Sequence, residues 1–278
     1  MLDLARADPL LLDPVDGVTT ELLARSTLLG PGDVMLVGAH CRDILQSSLG
    51  HEFPLRATSD IDLGLAVANW AAYDELVTRL PSAGGTGIRF QVARMTADLM
   101  PFGKVEDPPG SVTPATRGEP LSVWGFAEVF AGSLPLVLPV AGTIRIPSAA
   151  GYAALKLVAW LDRSTYGEFK DAGDIATVVY WYSRSPAVEA LLYDTEQGQE
   201  LLVAEEMDGP AAAARLLGVD IAGVIGAERL AEVAVRWPDL SSDRLTHHMT
   251  VINAPDWTAS PLRWQSLLQA IARGLFES

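Results

Sequence analysis

The sequence predicts an α/β fold: a small mixed sheet flanked by helices, followed by a mainly helical C-terminal part. Two observations carry this. Apolar strand-like runs, Val34 to Val37 and Ile61 to Val67, are separated by a short amphipathic stretch, Cys41 to Leu49, the alternation of an α/β layer. From Pro147 onward the apolar spacing turns helical and stays so to the end. The expected division is therefore 1–146, a sheet-bearing core with an N-terminal arm, and 147–278, a helical part that closes the cleft of the first.

Taken in order, residues 1–18 are apolar but irregular, with Pro9 and Pro14, and read as a packed arm. Thr19 or Thr20 is placed to cap a helix through Leu29, and Pro31-Gly32 turns the chain into the first strand. After the second strand, Asn69 caps a helix over Trp70 to Leu80. Ser82 to Gly87 forms a turn, and Ile88 to Met95 alternates as a third strand leading into Thr96-Ala-Asp98. Glu106 to Pro120, rich in Pro, Gly, Ser and Thr, is a long surface loop. A short helix near Trp124 to Phe130 precedes two short strands within Val129 to Ile146. Ser148 caps a helix to about Leu161, a second helix carries Asp174, and Pro261 to Phe276 is amphipathic.

The chain of 278 residues carries 20 basic and 35 acidic residues, net −15, with a pI near 4.6. That argues against a broad basic face for nucleic acid. Glu189 to Asp243 hold 12 acidic residues and 3 arginines, so most of the excess lies there. Cys41 is the one cysteine; it cannot form an intrachain disulfide, which points to a reducing compartment. No secretory leader pattern opens the chain, and the most apolar run is broken by Gly132, Pro135, Pro139, Gly142 and Arg145. The expectation is a cytoplasmic protein with no membrane span.

The chemistry centres on Gly38 to Asp62. Asp60 and Asp62 open a strand, and residues i and i+2 share a face, with Cα atoms roughly 6–7 Å apart. Two such carboxylates resist ionising together unless a cation lies between them, and an oxygen-only set suits Mg²⁺. The small Gly38-Ala39 turn opens a helix, where backbone N–H groups and the dipole favour a phosphate. Taken alone, an Asp-x-Asp is more often a pair of solvated strand-edge charges. Asp98, from a strand some 36 residues downstream, is placed to add a third carboxylate; its plain alternative is a turn residue before Pro101.

Gly-Ala, a short helix and Arg56-Ala-Thr-Ser-Asp-Ile-Asp-Leu resemble the nucleotidyltransferase superfamily, and more narrowly the AbiEii/AbiGii-type toxins of type IV toxin–antitoxin systems. Asp98-Leu-Met-Pro-Phe-Gly and the later pair, Ala-Leu-Lys156 with Arg163 and Lys170-Asp-Ala-Gly-Asp174, are similar to motifs of the same toxins. The resemblance covers about 34–182 and implies a nucleotidyltransferase-type sheet. It implies Mg²⁺ on Asp60, Asp62 and Asp98, with Asp98 serving a second ion or acting as base toward the acceptor hydroxyl. It implies nucleotide phosphates on Gly38, Ala39, Arg42, Thr58, Ser59 and Lys170. Ala39 departs from the Ser common in the superfamily, which leaves Thr58 or Ser59 to supply the hydroxyl. Lys156 and Asp174 are implied in catalysis. For these the bland readings are a lysine stem snorkelling to water and a helix cap; for Lys170 it is a solvated charge. The implied partners are an NTP, the 3′ end of a tRNA and a cognate antitoxin. A small-molecule transferase acting on a cationic antibiotic, and a non-catalytic nucleotide-binding module, are the competing expectations. RNA would have to meet a local basic rim, with Arg56, Arg89, Arg94 and Lys104 among its candidates.

Overall fold

The computed structural model describes residues 3–255, 257 and 260–277; Met1 and Leu2 of the expected arm, and Ser278, lie outside them. The chain forms two compact units that meet in sequence between Ser148 and Ala149.

The first unit is an α/β layer. Helix α1 (Pro9–Arg25) leads to strand β1 (Val34–Val37), helix α2 (Gly38–Ser48), β2 (Asp60–Val67), α3 (Trp70–Val77), β3 (Arg89–Val92) and β4 (Met95–Gly103). The small strands β5 (Ser111–Val112) and β6 (Leu121–Ser122), helix α4 (Phe126–Ala131), and strands β7 (Leu134–Leu138) and β8 (Gly142–Ile146) complete it. Six strands make one mixed sheet in the order β3-β4-β2-β1-β8-β7. β2 runs parallel to β4 and β1 parallel to β8; the other pairs are antiparallel. All four residues of β1 are buried, as a central strand covered on both faces requires.

Two local readings differ from the sequence expectation. The supposed arm and the helix expected from Thr19 or Thr20 to Leu29 are one helix: Asp8 accepts from Leu10 N–H as its cap, Pro9 stands at the first position, Pro14, Thr19 and Thr20 lie inside, and it ends at Arg25. Pro is pre-shaped for the first position, and the interior proline removes only one backbone donor. Asp16 on this helix accepts from Val140 and Ala141 N–H, tying down the β7–β8 turn. The single third strand is in fact a hairpin, β3 and β4, turning at Ala93 and Arg94, both at positive φ (48° and 64°).

The second unit is helical: α5 (Ala149–Arg163), α6 (Lys170–Arg184), α7 (Pro186–Asp194), α8 (Glu196–Ala204), α9 (Gly209–Arg236), α10 (Ser242–His248) and α11 (Pro261–Phe276). Its centre is the contact of α9 with α11. A Cβ on Gly218 would fall 2.2 Å from Ile271 O, and one on Gly274 1.9 Å from Arg215 O, so only glycine permits so close an approach. α5 and α6 pack on α9, and Trp160 on α5 donates its indole N–H to Leu240 O at 2.8 Å. The stretch Gly209–Leu240 is long and apolar enough to cross a membrane, but half of its most apolar window is buried in the fold. Its backbone also leaves the helix at Gly226 (φ 74°, ψ 171°).

Candidate functional site

The acidic strand residues converge because of register. Along β2 and β4, Asp62 is the direct partner of Asp98, and Asp60 that of Thr96. On the other edge of β4, Asp98 is paired with Arg89. Val37 of β1 is paired with Asp62, so the strand that ends at Gly38 joins the same row. Neighbouring strands lie about 4.8 Å apart, so Asp62, Asp98 and Arg89 stand side by side across the sheet. Asp60 lies one pleat away on the same face.

Gly38 explains the fit at one end of this row. Its φ is 68°, a conformation that disfavours side chains, and a Cβ there would sit 1.9 Å from the Oδ2 of Asp62. The Asp62 carboxylate therefore lies directly over the start of α2. His40, two residues on, is half-buried against Asp60; burial lowers its imidazole below the ordinary value, against the raising effect of Asp43 and Asp60.

Arg89 closes the other end. Its Nε donates to Asp98 Oδ1 at 2.8 Å, and its Nη2 to Asp98 Oδ2 at 2.7 Å and to Asp60 Oδ2 at 2.8 Å. This is a two-pronged arginine–carboxylate fork extended to a second strand. The hydrogen bond to Asp98, then the charges of Asp98, Asp60 and Asp62, hold the guanidinium above its already high value against the cost of burial. The Arg89 side chain remains 34% exposed. Asp60 is further fixed by Thr58, whose hydroxyl donates to its Oδ1 at 2.5 Å.

The other expected phosphate contacts are distributed differently. Arg42 is buried; its Nε donates to Asp43 Oδ1 at 2.9 Å and its Nη2 to Arg56 O at 2.6 Å. With Gln46, which donates to Phe53 O at 2.6 Å, it pins the segment before β2 onto α2. As placed, Arg42 is a brace for the segment carrying Thr58 and Ser59. Ser59, Lys104 and Lys170 are exposed, whereas Ala39 is buried.

In the helical unit, Lys156 meets Asp174 Oδ2 at 2.7 Å and Asp171 Oδ1 at 3.2 Å. Its ammonium lies 5.3 Å from the Tyr152 ring centre, and Arg163 approaches Asp171 at 3.7 Å. Burial alone would lower the lysine; the Asp174 and Asp171 carboxylates outweigh it and hold its pKa above the ordinary lysine value. The anion that a buried lysine requires is thus supplied from α6. Sequence reasoning read Asp174 as catalytic or a helix cap, and left Lys156 to meet phosphate or water. It also numbered Arg89 among rim cations and missed its place between Asp60 and Asp98.

Among the described residues, no three His, Cys, Asp or Glu side chains are grouped as a metal site. The acidic strand pair is instead gathered onto a guanidinium, itself a cation, and its donors are all carboxylate oxygens, the set preferred by Mg²⁺. No protein-family model matches this chain, and no curated protein sequence does.

Proposed function

We propose that this chain is a Mg²⁺-dependent nucleotidyltransferase of the AbiEii/AbiGii toxin type, built on a nucleotidyltransferase-type sheet and working in the cytoplasm. The observation that carries the reading is the in-register row of Asp62 and Asp98, with Asp60 one pleat away and the Gly38 turn directly under Asp62. Asp60, Asp62 and Asp98 would hold the ion, which when bound supplies positive charge to the non-bridging oxygens of the triphosphate. The N-terminal turn of α2, with Gly38 and His40 partly open to water and Ala39 buried, would offer backbone N–H groups to phosphate. Thr58 keeps Asp60 oriented, and Arg42 keeps the loop before it in place. In the transfer, an acceptor hydroxyl oxygen bonds to the α-phosphorus and pyrophosphate leaves with the bridging oxygen. The hydroxyl proton passes to a carboxylate, with Asp98 as the assigned base.

The acceptor in this reading is the 3′ end of a tRNA, and a cognate antitoxin is the expected partner. A second reading, transfer to a cationic small molecule, is favoured by one observation: the net charge of −15, which attracts cations and repels RNA. The test incubates the protein with each labelled NTP and Mg²⁺, offering purified tRNA, total RNA or aminoglycosides as acceptors. Label is expected on tRNA, and lost in Asp60→Ala and in Asp62→Ala with the fold retained. Label on a small molecule alone selects the second reading. Wild-type turnover in either variant, or no transfer to any acceptor, overturns the reading.

A further inference from the structure

Arg89 occupies the position that the proposed function assigns to a divalent cation, and this has a consequence of its own. One guanidinium nitrogen, Nη2, bridges carboxylates on two adjacent strands, Asp60 on β2 and Asp98 on β4, while Nε holds Asp98 a second time. With Asp62 beside them in the register row, three carboxylates act on the one guanidinium. A divalent cation brings twice the charge to the same oxygens. The carboxylates belong to inner strands of the sheet, whereas Arg89 belongs to β3, an edge strand of four residues. Its long side chain, a third exposed, has solvent to move into.

We propose that Arg89 is an exchangeable counter-ion: it neutralises Asp60 and Asp98 when no metal is present, yields them to the incoming divalent ion, and then binds the phosphates of the nucleotide. This rests on the nucleotidyltransferase reading and deepens it. The exchange couples the two ligands. The metal is opposed by Arg89, and the nucleotide is favoured by it, because the freed guanidinium presents a fork matched to phosphate oxygens. Nucleotide without metal would find Arg89 already engaged. Metal without nucleotide would displace the guanidinium into water, with no phosphate to receive it. The site is therefore biased toward taking both together.

The test titrates Mn²⁺ into the full chain and into Arg89→Gln and Arg89→Lys, following free ion by electron paramagnetic resonance. It then titrates α,β-methylene-ATP in saturating Mn²⁺. Arg89→Gln is expected to bind Mn²⁺ at least ~10-fold more tightly than the parent, since a unit charge in contact with the ligands is removed. The same variant is expected to bind the nucleotide analogue at least ~10-fold more weakly. Arg89→Lys, which keeps the charge and loses the fork, should fall between on both measures. A purely structural Arg89 would move both affinities in the same direction, and that result overturns the exchange. Equal or weaker Mn²⁺ binding by Arg89→Gln, with a parent-like circular dichroism spectrum, overturns it too and leaves the nucleotidyltransferase reading standing. If Arg89→Gln does not fold, Arg89→Lys decides: tighter Mn²⁺ binding than the parent supports the exchange, and unchanged binding overturns it. No saturable Mn²⁺ site in any of the three proteins removes the nucleotidyltransferase reading as well.

Discussion

Each unit of this protein holds a cluster of carboxylates against a basic side chain, and the two clusters differ in what surrounds them. In the sheet unit, Arg89 reaches Asp60 and Asp98 with all three side chains partly open to water, at 34%, 30% and 14% exposure. In the helical unit, Lys156 is 13% exposed and its partners Asp171 and Asp174 are at 0% and 4%. The chemistry is the same and the solvent is not. A charge that water can take over is cheap to release; a charge sealed inside must keep its partner. The difference teaches which cluster is able to exchange ligands and which one holds helices together. Sequence motifs alone gave the two equal standing.

The comparison breaks most decisively on Lys156. Lys156→Ala removes the ammonium shared by two buried carboxylates and should cost about 3–5 kcal/mol in urea denaturation, whereas Arg89→Ala should cost no more than about 1 kcal/mol. Equal costs would dissolve the distinction. Smaller, and confined to the sheet unit, is Gly38→Ala. It forces a side chain into positive φ and onto the Asp62 carboxylate, so a loss of about 1–3 kcal/mol is expected, together with loss of Mn²⁺ binding. A stable variant with parent-like binding would show that Asp62 need not lie over the turn.

The smallest effect sharpens the contrast through pH. The Lys156 pKa is raised by folding, so the folded state holds this proton more tightly than the unfolded chain. Its contribution is fully present below the ordinary lysine value of about 10.4 and is lost as pH rises through the higher folded value. Arg89 does not titrate in that window. Urea denaturation from about pH 8 to about pH 11 should therefore show an alkaline loss of stability that Lys156→Arg reduces. An identical slope in that variant would assign the loss to the buried Tyr73 and the half-buried Tyr182, whose hydroxyls desolvation holds above their usual value.

What could be read beforehand was whatever is written locally. The Asn69 cap, the span Pro261–Phe276 and the strand opening at Asp60 follow from caps and periodicity within a few residues, and the structure has them. The β3–β4 turn was hidden because Ala93 and Arg94 adopt left-handed conformations without the Gly, Asn or Asp that ordinarily signals them. Arg89 opens the strand β3 within the alternating stretch, yet its partners depend on how three strands align, and no short stretch encodes that. Likewise Lys156 and Asp171 lie on successive helices, α5 and α6, and their meeting is a matter of packing. Strand register and helix packing, the two long-range determinants, are what turned a set of charged residues into two clusters of different kinds.

The position of β1 bears on how the protein is made. Met35 pairs with Arg145, 110 residues later in the chain, and β1 lies between β2 and β8 in the finished sheet. A chain emerging N-terminus first can assemble β1, β2, β3 and β4, and with them the whole row from Gly38 to Arg89, before β8 exists. Until Gly142–Ile146 leave the ribosome, the far edge of a fully apolar strand stays open, with the unpaired backbone groups that invite pairing with another chain. The acidic row is thus complete early, and the sheet that supports it is sealed late.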